Sequence, residues 1–344
     1  MKLKFITLFT AMLSGVAFSQ DFATIDSYAG NVKYNGDLKQ LTTDVTAKSN
    51  TPIEKTRAIY DWIVENISYD IKEFNTNKNG HKVAIDCKTP AECDLKKIQI
   101  DNEYIEQVLK KKRGVCSGYA KLFKRMCQLA DITCYEINGY TKDKPNQVGR
   151  MGTLNHAWNS VVIDKKIYYF DLTWAAGQCD TDANGALKEF VKKRNDFYWM
   201  IPLEKLSIDH YPEKPNDLVG FNISKEEYRD HVFIEKSILP ITEVMKPESG
   251  IIKAKLGDTI NFKVKYSGKL DKLQINTNIK RNQRMFDADG ATIERAAAKQ
   301  EYIPFVKEEE IYYFDYIITD ERIKSIEVLF DYNLKLKFNV EAGK

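Results

Sequence analysis

The sequence has little of what marks a membrane, fibrous or polyanion-binding protein. Its 344 residues carry 52 Lys plus Arg against 49 Asp plus Glu, a net charge of +3. Such balance excludes the broadly basic surface that binds nucleic acid. With only 9 Pro and 17 Gly, a collagen-like chain is excluded, and 43% apolar with 12% aromatic residues exclude a disordered one. Beyond the first twenty residues there is no long apolar run, so the mature chain is expected to lack a membrane span. No internal repeat or low-complexity tract occurs. No two cysteines stand at C-x-x-C spacing, which argues against a structural zinc site. Neither a metal nor a cofactor is expected. Histidine is scarce at four, so few side chains are available as a general base.

What the chain does have begins at the N-terminus. Lys2 and Lys4 precede a nearly uncharged, mostly apolar stretch from Phe5 to Phe18, and Ala17-Phe18-Ser19 follows with small residues at a cleavage spacing. This reads as a secretory signal peptide over 1–19, and the apolar run is short of the roughly 20 residues of a spanning helix. No cysteine precedes Cys87, so lipid attachment at the cleavage site is not expected. The mature protein is expected to be exported, periplasmic or extracellular. In an oxidising compartment the six cysteines, Cys87, Cys93, Cys116, Cys127, Cys134 and Cys179, invite a disulfide reading. Cys87 and Cys93 flank the short polar loop Lys88 to Glu92 and could bridge. Cys127 and Cys134 fall on neighbouring elements and are a weaker pair. If one cysteine is a free nucleophile, at least one more is unpaired.

Two textures divide the rest. From 53 to 67, apolar residues at Ile59, Trp62, Ile63 and Ile67 follow a helical period, with Thr51 as N-cap and Pro52 in the first turn. Residues 72–100 read as a polar surface insertion, 103–111 as a short helix, and 116–130 as a second long helix with Tyr119, Phe123, Met126 and Ala130 on one face. Strands are expected at 133–140, 157–163 and 167–173. After about 239, strand-like segments dominate, at 251–255, 259–266, 271–279, 311–318, 325–331 and 334–340. The expectation is an α+β protein with a signal peptide (1–19), a domain over 20–238 and a β-sandwich of Ig-like type over 239–344.

Chemistry concentrates between 113 and 174. Cys116 follows Gly114 and opens a helix, where the positive helix end and free N–H groups stabilise a thiolate. Taken alone, a packed buried cysteine explains it equally well. Of the histidines, His81 lies in the polar insertion, His210 in a Pro-rich turn and His231 among charges. His156 starts a strand. Strand alternation puts His156, Trp158, Ser160 and Val162 on one face. If Asp164-Lys165-Lys166 is the turn and 163 pairs with 166, His156 faces Thr173. Asp171 is then its diagonal neighbour on the same face, within reach of a hydrogen bond. Asn159 points the other way. Cys116, His156 and Asp171 together make a nucleophile, its base and an orienting carboxylate.

RGVCSGYAKLFKRMC (113–127) and NHAWNSVVIDKKIYYFDLTWAAG (155–177) resemble the transglutaminase-like superfamily. The similarity is strongest to the branch related to the kyphoscoliosis peptidase. AIYDWIVENISYD (58–70) resembles that branch's first core helix, and DHYPEKP (209–215) its trailing segment. The resemblance runs from about 53 to 235 and implies a papain-like core, a helix carrying Cys116 packed on an antiparallel sheet. It carries the nucleophile onto Cys116, the base onto His156 and the carboxylate onto Asp171. Two departures matter: the 72–100 insertion is outside the common core, and the calcium activation of animal transglutaminases does not carry over.

The resemblance implies acyl transfer through a Cys116 thioester on peptide or protein amides; a cell-wall peptidase acting on stem peptides, which would share the Cys–His chemistry and the export signal, is a further reading. Hydrolysis is favoured because water is always present. A protein-glutamine acyltransferase or deamidase with the same triad is the alternative, and a non-catalytic cell-surface or partner-binding module is the other. Tyr119, Trp158, Trp174 and Tyr69 are candidates for a substrate groove. The run from Asp180 to Gly185 opens like an EF-hand loop, but its twelfth position is Val191 rather than Glu, so it reads as a polar loop, as does Asp287 to Gly290.

Overall fold

The computed structural model describes residues 22–343 except 77–84, 182–185, 216–217, 219, 236–240 and 287–291. The signal-peptide reading, most of the loop from Asp180 to Gly185 and the loop from Asp287 to Gly290 therefore lie outside the described residues. Helices and strands occur in similar measure, and the chain is α+β.

Helix Pro52–Asn66 forms where the capping signals place it. The Thr51 hydroxyl accepts from the Glu54 N–H at 3.3 Å, and the Glu54 carboxylate accepts from the Thr51 N–H at 3.0 Å, closing a reciprocal cap. Most of the helix is buried. It packs against helix Cys116–Leu129, whose inward face includes Leu122, Phe123 and Met126.

The segment between them departs from expectation. Pro90–Lys111 is one helix of 22 residues, capped by Thr89, so the short helix expected over 103–111 begins some thirteen residues earlier, inside the segment read as a surface insertion over 72–100. Only Ile105, Val108 and Leu109 are buried on it, and Leu95 and Ile98 are exposed. The first turns bury no apolar stripe, so hydrophobic periodicity is silent there. A disulfide between Cys87 and Cys93 ties the start of this helix to the preceding loop. Cys127 and Cys134 are free and buried, so the weaker of the two pairings is not made.

Helix Cys116–Leu129 lies on a four-stranded antiparallel sheet. Its order is Lys166–Phe170, His156–Ile163, Thr133–Thr141, His210–Pro212. Asp164 and Lys165 form the hairpin turn with φ of 49° and 64°, the left-handed pair of a two-residue loop, and Ile163 pairs with Lys166. The strand expected over 167–173 stops at Phe170, opposite Asn159. Asp171 then becomes the N-cap of the short helix Leu172–Ala176, so Thr173 never stands opposite His156.

Residues from 232 onward contribute to a second hydrophobic cluster. One sheet orders Ile241–Lys246, Thr259–Tyr266, Ile311–Ile317 and Val306–Glu308. The other orders Ile251–Ala254, Asn333–Ala342, Ser325–Phe330, Leu273–Phe286 and Thr292–Tyr302. Both sheets feed one core, in which Phe262 and Phe314 stack at 4.7 Å and Phe338 meets Phe262 edge-on. Phe233–Ile234 already pairs with Asn333–Ala342, so the chain joins this sheet before residue 239. Among the described residues, no helix is long and apolar enough to cross a membrane.

Candidate active site

Cys116 is the first residue of its helix. Val115 caps it in an extended conformation, with no side-chain cap, so the positive helix end lies at the sulfur. A two-residue parallel bridge fixes this entry: Ser68–Tyr69 pairs with Arg113–Gly114, and the Asp70 N–H donates to Gly114 O at 3.1 Å. The Cys116 sulfur is partly exposed and lies 3.9 Å from the Asn155 carbonyl oxygen.

His156 opens its strand and is 8% exposed. Its Nε2 lies 2.8 Å from Asp171 Oδ2, which leaves Nδ1 as the ring nitrogen available to the thiol. Burial works against the imidazolium, but the Asp171 charge and hydrogen bond, reinforced by Cys116, raise its pKa to about 10. Asp171 is fully buried. Burial alone would raise its pKa, yet His156 and His210 together hold it well below the usual carboxylate range. Its other oxygen, Oδ1, accepts the Trp174 N–H at 3.1 Å. The structure thus brings together Cys116, His156 and Asp171, the three residues singled out from the sequence.

The four aromatic candidates divide. Trp174 stacks on His156, with centroids 5.0 Å apart, and lines the cleft together with Tyr69. Trp158 and Tyr119 are core residues, each 1% exposed, and the groove reading is corrected for both. Trp158 does share a face with His156, but that face is covered, and His210 meets its ring edge-on at 4.9 Å. The Tyr119 hydroxyl donates to Ile67 O at 2.8 Å, pinning helix to helix. Asn159 points to the other face, as strand parity requires, and its amide donates to Ala120 O and Tyr135 O.

His210 is not the turn residue that its Pro-rich surroundings suggest, but opens the strand His210–Pro212. It is buried, with Nε2 3.1 Å from Asp171 Oδ2 and Nδ1 against Asp209 Oδ1. Its three-residue strand is too short to show a period in the sequence. The donor atoms of His156, Asp171 and His210 lie within 4.8 Å of one another and are of types that can ligate a metal ion. Here they sit at hydrogen-bond lengths. His231 is half-buried, and its Nδ1 faces Ile208 O; His81 lies outside the described residues. Cys179 is half-buried in the wall of the same cleft as Cys116, and burial pushes its thiol up to about 11. The far rim of the cleft comes from the second sheet, through Glu327, Lys337 and Asn339.

Residues 39–172 match the family model of the transglutaminase-like superfamily. The chain is 30% identical over 199 residues to the kyphoscoliosis peptidase of Homo sapiens, covering 57% of this chain and 26% of that protein. It is 28% identical over 197 residues to the kyphoscoliosis peptidase of Mus musculus, with the same coverage. The match thus spans about a quarter of the length of these relatives. A solved structure described as a TGase aligns over 47% of this chain and 35% of its own, at 16% identity and a TM-score of 0.26. A partly exposed thiol at a helix start beside a buried His–Asp pair is the equipment of a thiol-type enzyme, and the stretch from 39 to 172 that carries it is similar to the transglutaminase-like superfamily.

Proposed function

We propose that this protein is an exported cysteine enzyme that opens peptide or protein amides through a thioester on Cys116, with water as the usual acceptor. The observation that carries the reading is the 2.8 Å contact between His156 Nε2 and Asp171 Oδ2, with Cys116 acting on the same ring. A carboxylate on one nitrogen fixes the tautomer and keeps the imidazolium as a proton donor.

The Cys116 thiolate adds to the amide carbonyl, forming a C–S bond and an oxyanion. N–H groups at the start of the Cys116 helix are placed to stabilise that charge. Collapse breaks the C–N bond, and the amine leaves with the proton from His156. Water, deprotonated by His156, then adds to the thioester. The C–S bond breaks, releasing a carboxylic acid and the free thiol. A lysine amine in place of water would give cross-linking, and a glutamine side chain opened by water would be deamidated.

Export is supported by the signal-like sequence at 1–19 and by the Cys87–Cys93 disulfide, a bond that persists in oxidising compartments. The second cluster, with its two sheets, fits an Ig-like sandwich whose edge bounds the cleft and positions the substrate.

The test is mass spectrometry of a peptide library, cell-wall stem peptides included, incubated with the purified protein with and without an added amine. Cleavage that Cys116→Ala abolishes supports the hydrolase. Amine adducts or deamidated glutamine would move the assignment to the acyltransferase or deamidase. No product from either protein, together with a Cys116 that alkylates only as slowly as a free cysteine, would leave a binding module and end the enzyme reading.

A further inference from the structure

His210 lies outside the Cys–His–Asp set, yet its Nε2 lies 3.1 Å from Asp171 Oδ2. It reaches the site from the opposite side of the sheet's third strand. On Thr133–Thr141, Gly139 pairs with His156 and Thr141 pairs with His210. Residues 139 and 141 share a face, so both imidazoles stand on the same side of the sheet, one on each flank of that strand. Gly139 lies between them. A Cβ there would come within 2.3 Å of both the Trp158 ring and Tyr211 O, so only glycine lets the flanking groups close over this point.

The ring of His210 is held on every side. Trp174 meets it edge-on at 4.6 Å and Trp158 at 4.9 Å. Asp209 takes Nδ1. Nε2 is directed at Asp171 Oδ2, the oxygen that also receives His156. Asp171 therefore has three donors: His156 and His210 on Oδ2, and the Trp174 N–H on Oδ1. A fully buried carboxylate is costly unless its lone pairs are filled. His156 alone does not fill Oδ2.

We infer that His210 is a positioning residue for the reaction. It acts through Asp171, pinning that carboxylate by a hydrogen bond so that it stays ionised and aimed at His156. The unit that sets the imidazole is a His–Asp–His chain anchored at Asp209, rather than a single His–Asp pair. This inference rests on the proposed thiol chemistry and adds a residue to it.

Two small polar substitutions separate its roles. In His210→Gln the amide nitrogen reaches the position of Nε2 and can still donate to Asp171. In His210→Asn it reaches only the position of Nδ1, so Asp209 keeps a partner and Asp171 loses one. The readout is the rate of Cys116 alkylation by iodoacetamide at pH 5 relative to pH 8, measured on folded protein with Tm recorded alongside. This ratio reports how far the imidazolium holds the thiolate and needs no substrate. The expected result is a wild-type ratio for His210→Gln. For His210→Asn the ratio should fall by about threefold or more, as a half-unit change in the pair produces. If His210→Asn does not fold, His210→Phe keeps a flat ring between the two indoles without donors and should show the same fall. A wild-type ratio in the variant that lacks the donor would overturn the positioning role, whatever its Tm. A wild-type protein that already alkylates only at high pH would instead sink the thiol-enzyme reading, and this inference with it.

Discussion

Asp171 reaches His156 from one residue beyond the end of its strand. The ladder closes at Phe170 and Asn159, and the next residue turns into a helix cap, its two oxygens divided between the Trp174 N–H and the His156 ring. One carboxylate therefore starts a helix and orients an imidazole, and the helix it starts delivers Trp174 onto the face of that imidazole.

Replacing Asp171 by Asn should act on pH dependence as well as on rate. The Asp171 charge and hydrogen bond outweigh burial and raise His156 to about 10, so removing them lowers it. The proton donor is then lost at a lower pH, and the basic limb of amide turnover shifts down. Turnover at pH 7 should fall on the order of 10²-fold or more. Stability follows the same signs. With its pKa raised, His156 contributes fully below its unfolded value of about 6.5 and loses the contribution as pH rises through about 10. With its pKa lowered, Asp171 contributes above about 3.9 and loses the contribution as pH falls through its folded value. The wild-type minus Asp171→Asn difference in unfolding free energy should therefore be largest between these limits. Denaturant titrations at pH 3, 6 and 10.5 check this, and an equal difference at all three would contradict it.

Labelling should discriminate among the free cysteines. Cys116 is partly exposed at a helix start, whereas Cys127 and Cys134 are buried. Burial, with Cys134 as a hydrogen-bond partner, pushes the Cys127 thiol well up. Brief iodoacetamide treatment of the native protein at pH 7 is expected to place one adduct, on Cys116, with Cys179 following more slowly and the other two only after unfolding. Peptide mapping reads this directly. Cys116→Ala should lose that adduct and all turnover while its Tm stays within a few degrees of wild type.

The legible parts of this protein are those with a local signal. Thr51, Pro52 and Glu54 announce a helix start. Parity in a two-residue hairpin points to Asp171, even though the strand ends early and the contact comes from a cap. Long-range burial left no such trace. Trp158 alternates correctly with His156, but the segment that covers its face arrives some fifty residues later with His210. The first turns of helix Pro90–Lys111 face solvent, so no stripe marks them, and Thr89-Pro90 was the available cue. The partners of Asp171 were half legible for the same reason: His156 is a hairpin neighbour, while His210 is joined to it only by the third strand.

Removing the Cys87–Cys93 bridge should cost stability without touching turnover. The bond closes a loop of six residues' separation at the start of helix Pro90–Lys111, whose first turns bury little of their own. A short loop contributes roughly 2 kcal/mol through the unfolded chain. The double variant Cys87→Ser, Cys93→Ser is expected to lower Tm by a few degrees and leave kcat within twofold. Mass spectrometry of the wild type under non-reducing digestion should show the 87 and 93 peptides joined. A complete loss of activity in the double variant would mean that this helix shapes the cleft rather than only flanking it.

Lys142 should prove essential to the passage between the two hydrophobic clusters. It is 2% exposed, follows the strand Thr133–Thr141, and its Nζ donates to Tyr228 O, Arg229 O and His231 O, each at 2.9 Å. These carbonyls belong to the last turn of helix Lys225–Asp230 and the residue after it, immediately before Phe233–Ile234 enters the second sheet. A single ammonium thus uses all three protons to close a helix end, and the Tyr228 ring lies 5.2 Å from the charge. In Lys142→Met the stem volume is kept, but the ammonium is gone: Tyr228 O and Arg229 O keep the His231 and Gly149 N–H groups, while His231 O loses this donor, at about 1–3 kcal/mol for a group left unsatisfied. The unfolding free energy should drop by about 1–3 kcal/mol. Hydrogen exchange should quicken first in the amides that follow these carbonyls, Tyr228 to Ile234, before the sheet carrying His156 is affected. Uniform loss of protection across both clusters would show that Lys142 supports the whole fold rather than this crossing.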